Sequence, residues 1–219
     1  MRRLRRPSDL SAKATEEIRM AILRGELDPG SRIRQEELAT RLAVSRAPIR
    51  QALVILEREG LVQTDGLQGV IVAPLDPDVV RDLYGFRAAI ERHVAETLAA
   101  RRDLSWGPLH DLVEAGRRAD PDRVSELIEL DLRFHTELYT RVGNRVLSEV
   151  MAAQWIKMRR ALGATLTMPG YSHRVWEEHA GIIAAIEAHQ AEEAGRLAAS
   201  HTAAASARLI AGLTPRTPA

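Results

Sequence analysis

The sequence predicts a mainly α-helical chain in two parts. Three helices closed by a short β-hairpin come first, and an antiparallel all-α bundle of about six helices follows. Three observations carry that prediction. Only 4% of the 219 residues are aromatic, while Ala, Leu and Arg, all good helix formers, are abundant. Apolar residues recur at three- and four-residue spacing nearly throughout, and β runs are confined to residues 61–73. A stiff Pro74-Leu75-Asp76-Pro77 segment separates the parts, placing one domain at residues 1–74 and another at 78–214.

In the first part, Ala14, Ile18 and Ile22 form one stripe of a helix over Ser11–Arg24, which Gly25 stops. Asp28-Pro29-Gly30 is a turn. A second helix is predicted over Gln35–Ala43, with Leu38 and Leu42 inward. Ser45 is placed as the N-cap of a third, which runs to about Glu59 with Ile49, Leu53 and Leu56 inward. Leu61–Thr64 and Val70–Ala73 read as strands joined through Asp65-Gly66-Leu67-Gln68-Gly69.

Three helices and then a hairpin is the order of a winged helix-turn-helix, whose third helix enters the DNA major groove. Arg46 and Arg50 are four apart on a face away from that helix's apolar stripe, where they could reach guanine edges or phosphates. Gly69, with no side chain, would let the wing tip approach DNA closely. Residues 1–75 carry 13 Lys and Arg against 10 Asp and Glu, whereas the rest carries 18 against 20. The basic excess therefore sits in the first part.

The runs Gly25-Glu-Leu-Asp-Pro-Gly-Ser31, Glu37-Leu-Ala-Thr-Arg-Leu-Ala-Val-Ser-Arg-Ala-Pro-Ile-Arg-Gln-Ala-Leu53 and Leu56-Glu-Arg-Glu-Gly-Leu-Val62 resemble the GntR family of bacterial transcription regulators, over about Thr15 to Ala73. The resemblance implies Arg34, Ser45, Arg46, Pro48, Arg50 and Gly69 as DNA contacts. Two positions depart from the family pattern: Ala43 replaces a usual turn Gly, and Gln68 replaces an Arg that often precedes the wing Gly.

The second part is predicted as helices over Val79–Arg101, Ser105–Ala119, Asp120 to about Val142, Arg145 to about Ala164, Tyr171–Ala188 and Gln190–Ala211. Gly143-Asn144 and Met168-Pro169-Gly170 mark breaks. Asp131 and His135 are spaced i,i+4 and so share a helix face. His179 and His201 are 22 apart and equidistant from the break near Ala188–Gln190, which places them side by side in a helix hairpin. Three imidazoles and one carboxylate suit a divalent transition metal: zinc first, with nickel, manganese or iron as alternatives.

Arg87-Ala-Ala-Ile-Glu91, Asp131-Leu-Arg-Phe-His135, Gly143-Asn-Arg-Val-Leu147, Glu178-His179 and His201 resemble the ligand-binding domain of the FadR-type branch of that family, the class called FCD. The resemblance implies that Asp131, His135, His179 and His201 bind the metal and that Arg87 is a cationic partner for a small carboxylate effector. An i,i+4 salt bridge from Arg87 to Glu91 is the plainer alternative, and both can hold. His93, His110, His173 and His189 are left as surface or core residues, and Phe134 and Trp155 as packing.

With no cysteine, disulfides, thiolate zinc sites and cysteine nucleophiles are excluded. The basic start, Met1–Leu10, lacks the apolar run of a signal peptide, and no stretch is long enough for a membrane span, so a cytoplasmic place is expected. The Arg- and Pro-rich ends, Met1–Asp9 and Thr214–Ala219, are expected to be disordered. The expected function is transcription regulation without catalysis. A homodimer, as a repressor, would bind inverted-repeat operator DNA, controlled by a small carboxylate near the metal. The alternatives are direct sensing of the metal, a purely structural metal, and a metal-dependent enzyme.

Overall fold

The computed structural model describes residues 9–23, 25–66, 69–166 and 171–213. Among them the chain forms nine helices and one two-stranded sheet. Two compact units divide between Leu75 and Asp76. The wing turn with Gln68, the break at Met168–Gly170, and residues 1–8 and 214–219 lie outside the described residues. Asp9, expected to belong to a disordered end, instead opens the first helix.

The first unit contains α1 (Asp9–Leu23), α2 (Gln35–Arg41), α3 (Arg46–Arg58), β1 (Val62–Asp65) and β2 (Gly69–Val72). Helix α1 packs its predicted stripe, Ala14, Ile18 and Ile22, against α3. From α3 come Ile49, Ala52, Leu53 and Leu56, all buried. The antiparallel hairpin pairs Val62 with Val72 and Asp65 with Gly69, and Arg32 bridges to Ile71 beside it. Each strand puts apolar side chains under the helices, and Leu61, Val62, Ile71 and Val72 close the core.

Helix α2 ends at Arg41, two residues before the predicted limit. The Val44 amide donates to the Ala39 carbonyl at 3.0 Å and the Ala43 amide to Thr40 at 3.2 Å. That paired closure needs a left-handed residue at the position Ala43 occupies, and Ala43 sits there with φ of +51°. The departure from Gly therefore leaves the turn in place but strains it. Ser45 stands at the N-cap of α3 as predicted, yet its hydroxyl makes no capping hydrogen bond.

The second unit contains α4 (Pro77–Ala99), α5 (Gly107–Arg118), α6 (Val124–Val142), α7 (Arg145–Leu166), α8 (Tyr171–Glu187) and α9 (Ala191–Leu213). Helix α4 starts two residues earlier than predicted, because Pro77 suits the first helical position and the Asp76 carboxylate accepts from the Asp78 amide at 2.8 Å. Helix α6 starts later, at Val124. Asp120 takes the Asp122 amide at 3.0 Å, and this local side-chain turn delays the helix. Gly143 ends α6 with φ of +77°, and Asn144 Oδ1 then accepts from the Leu147 amide at 3.1 Å to start α7.

Helix α4 lies along α9, where Ala194, Ala198 and Ala205 are buried and let the two backbones approach. Helix α6 packs against α4, α5 and α7, and α8 against α5 and α9. Val94, Leu98, Leu109, Leu127, Phe134, Leu138, Met151, Trp176, Ile183 and Ile186 make one continuous core. Each such side chain contributes roughly 1.5–3 kcal/mol by leaving water. Gly116 of α5 is a notch in that core: a Cβ there would lie 1.9 Å from Cε2 of the buried Trp176.

Two substitutions test this packing. Gly116→Ala should destabilise the second unit by about 1–3 kcal/mol, because the Trp176 ring must move; thermal unfolding of the full chain would show it. Ala43→Gly should stabilise the first unit by about 1 kcal/mol by relieving the left-handed strain, read as a raised urea midpoint at unchanged slope.

Candidate metal centre and DNA-facing surface

Three helices deliver the buried cluster. Helix α6 supplies Asp131 and His135 from one face. The α8–α9 hairpin turns at Ala188–Gln190, with His189 left-handed at φ of +58° and its Nδ1 2.9 Å from the Ala99 carbonyl at the end of α4. That turn fixes the hairpin register and sets His179 beside His201, whose Nε2 atoms are 3.2 Å apart. Asp131 Oδ1 lies 3.5 Å from His179 Nε2 and 3.8 Å from His135 Nε2. All four candidate ligand atoms fall within 4.8 Å of one another, and the four residues are at most 5% exposed.

The surroundings fix which nitrogens face inward. His201 Nδ1 contacts Glu178 Oε2 at 2.7 Å, and His135 Nδ1 lies 2.9 Å from Glu91 Oε1. A proton on His201 Nδ1 directed at Glu178 leaves its inward Nε2 with a lone pair, while His135 Nδ1 lies close to Glu91 but outside hydrogen-bond geometry. Lone pairs and a carboxylate oxygen then converge at one buried point, an arrangement that a shared positive charge favours. Asp131 Oδ2 and His135 Nε2 are buried with no hydrogen-bond partner. Three imidazoles and one carboxylate brought within 4.8 Å of one another are a donor set of the kind that divalent transition metals take. The residues fit a divalent metal, with Glu178 orienting one of its imidazoles.

Electrostatics agree. Burial lowers the pKa of His179 well below the ordinary histidine value, helped by His201, His135 and Arg87. Burial also lowers that of His135, against the pull of Glu91. Both imidazoles are thus held neutral, the form that binds metal. Burial would raise the Glu91 carboxyl, but His135, Arg87 and the Tyr139 hydroxyl outweigh it and hold it well below the usual carboxylate range.

Arg87 and Glu91 of α4 are both 1% exposed and pair through Nε and Oε1 at 3.1 Å, so the predicted salt bridge forms. Tyr139 donates to the same Glu91 oxygen at 2.5 Å. Arg87 keeps a further donor: Nη2 is buried with no partner, and the guanidinium carbon lies 4.8 Å from the centre of the Trp155 ring. Trp155 Nε1 is likewise buried and unpaired. Phe134 stacks on His179 with ring centres 4.0 Å apart, and Trp176 meets His179 edge-on at 4.9 Å. The sequence marks Glu178 only as part of the Glu178-His179 motif, without a role, and does not mark Tyr139. Tyr139 repeats the i,i+4 step from Asp131 and His135, and that signal was available. His110 pairs with Glu187 at 2.8 Å, away from the cluster.

A groove of about 740 Å³ runs between α5, α6 and α7 and contains none of the four clustered residues. It is lined by the opposite face of α6, with Trp155 at its edge. It is a surface feature of the bundle and not the chamber of the cluster.

In the first unit, Arg34, Ser45, Arg46, Arg50 and Gly69 are exposed. Arg46, Arg34 and Gly69 line one open groove of about 530 Å³ with Arg32 and Glu36. Pro48 is different: it is buried in the first turn of α3, where it shapes the helix start and offers little contact surface.

Residues 10–72 match the gntR family of bacterial regulatory proteins, and residues 82–204 match the FCD domain. The chain is 38% identical over 140 residues to an HTH-type transcriptional regulator in an unstable DNA locus of Streptomyces ambofaciens, a match spanning 63% of this chain and 58% of that protein. It is 26% identical over 223 residues to the HTH-type transcriptional repressor NanR of Klebsiella aerogenes, covering 90% of this chain and 84% of that one. A putative GntR transcriptional regulator from Rhodococcus sp. RHA1 has a similar fold, with a TM-score of 0.74 at 21% identity over 92% of this chain and 97% of that one. These families and relatives are regulators and not enzymes. The chain belongs to the GntR family of bacterial transcription regulators, with a gntR-type head followed by an FCD domain.

Proposed function

We propose that this regulator binds inverted-repeat operator DNA as a homodimer, most simply as a repressor, and that a small carboxylate held near a divalent metal in the FCD domain sets its operator affinity. The observation that supports this most is the convergence of Asp131, His135, His179 and His201, buried and aimed at one point. Zinc suits that donor set best. When bound, the ion would supply a Lewis-acid position for an oxygen ligand. The chain's own part is to hold the His135 and His179 imidazoles neutral, to orient His201 through Glu178, and to offer unpaired donors from Arg87 Nη2 and Trp155 Nε1. Those donors suit an anionic group. An effector shifts affinity only as far as it binds the DNA-competent and incompetent arrangements unequally.

On the DNA side, Arg46 and Arg50 at the start of α3 are the base-reading candidates, with Arg34, Ser45 and Gly69 beside them. The near-complete burial of the four ligands supports a second reading, in which the ion itself is the effector.

Thermal unfolding against a panel of small carboxylic acids, with and without chelator, separates the two. An acid at about 100 times its dissociation constant should add roughly 2.7 kcal/mol. Loss of that shift on chelation supports an effector bound through the metal. Operator binding that depends on metal with every acid absent supports the second reading. His179→Ala should abolish stoichiometric metal, read by elemental analysis, while the first unit still folds; full metal occupancy in that variant would remove the proposed ligand set.

The chelated protein should lose stability on acidification. His135 and His179 resist protonation when folded but take up protons at about 6.5 when unfolded, so the unfolded chain is favoured as pH falls through that value. Melting temperatures from pH 8 to 5 would show the decline, and the His179→Ala variant should show less of it.

A further inference from the structure

The arginines on the proposed DNA-facing surface are not equivalent. Arg50 has no ion-pair partner among the described residues. Arg34 Nη1 reaches Glu37 Oε1 at 2.8 Å, and Arg46 Nη2 is ion-paired with Glu36 of α2. The Glu36 side chain is 71% exposed, so it contributes little to the core. It lines two open grooves, one with Ser45 and Arg46 and one with Arg32, Arg34 and Gly69. A carboxylate on a surface that approaches phosphates opposes binding to DNA of any sequence. Glu36 lies in the first turn of α2, where Glu37 supplies the same charge next to it.

We infer that Glu36 is a specificity-determining residue that reads a cytosine together with Arg46. The inference rests on the DNA-facing role proposed for the start of α3. In the major groove, cytosine presents its N4 amino group, which a carboxylate accepts, and guanine presents O6 and N7, which a guanidinium takes as a pair. An arginine and a glutamate already held side by side match those two patterns in one G·C pair or two adjacent ones. Opposite thymine O4 or guanine O6, the same carboxylate meets an acceptor and repels it. Discrimination thus comes from a penalty on the wrong base as well as from a contact to the right one.

The test is selection of binding sites from a randomised duplex pool by the full-length protein, comparing wild type with Glu36→Gln, Glu36→Ala and Arg50→Ala. Thermal melts confirm that each variant folds. Wild type should select a motif with a cytosine constrained beside or opposite a guanine. Both Glu36 variants should relax that position by about tenfold in relative affinity and leave the other positions intact. They should also bind random-sequence DNA more tightly, because one negative charge is gone. Arg50→Ala should weaken binding across the motif. If the Glu36 variants keep the wild-type motif and relative affinities while Arg50→Ala loses binding, Glu36 is a surface ion-pair partner and this inference fails alone. If Arg50→Ala also binds as wild type, the DNA-facing assignment of α3 fails with it.

Discussion

Arg87, Glu91 and Asp131 are ionisable groups taken out of water at the centre of a helical bundle, beside three buried imidazoles. Bare burial of such groups costs several kcal/mol each, so the bundle is stable only if each finds a compensating neighbour. Arg87 and Glu91 compensate each other one helical turn apart, and Tyr139 and His135 approach the same carboxylate from α6. His201 leans on Glu178. Among the described residues, polar atoms left buried without a hydrogen-bond partner include Asp131 Oδ2, both ring nitrogens of His135, Nδ1 of His179, and donors of Arg87 and Trp155. Structural compensation is arranged around the edge, and the unmet polar demand is concentrated in the middle.

Much of this was legible in the sequence, for identifiable reasons. The i,i+4 step of Asp131 and His135 is a local helical property, and the symmetric placement of His179 and His201 about residue 189 follows from hairpin geometry. Helix boundaries were less legible wherever a short polar side chain competed for a backbone amide. Asp120 delays α6, and Asp76 advances α4. The partners of the cluster were the hardest to find. Glu91 reads from sequence as half of a surface-style salt bridge, and only the packing of α4 against α6 turns it toward His135. The approach of Trp176 to Gly116 is a contact between α5 and α8 that no local pattern encodes.

The first unit shows the same division. Its core stripe, turns and hairpin follow from spacing and from Gly and Pro. Ala43 keeps a left-handed turn that the paired hydrogen bonds from Ala43 and Val44 impose, against the preference of its own side chain. Pro48 and Ser45 illustrate how a residue type can be placed correctly and work differently: one is buried, and the other caps by backbone conformation without its hydroxyl. Side-chain pairing between α2 and α3 lies beyond the reach of periodicity, since Glu36 and Arg46 belong to different helices.

The cluster and the Arg87–Glu91 pair beside it draw on α4, α6, α8 and α9, which include the first and the last helix described in the second unit. Contacts of such long sequence separation form late, after nearer ones have organised the chain. A nascent chain with α4 to α8 outside the ribosome already has Asp131, His135 and His179, but it has no α9 to bring His201 alongside or to pack against α4. A chain without α9 would keep three of the four clustered side chains but lose His201 and the helix along which α4 packs, so the cluster and the α4 packing stand or fall together.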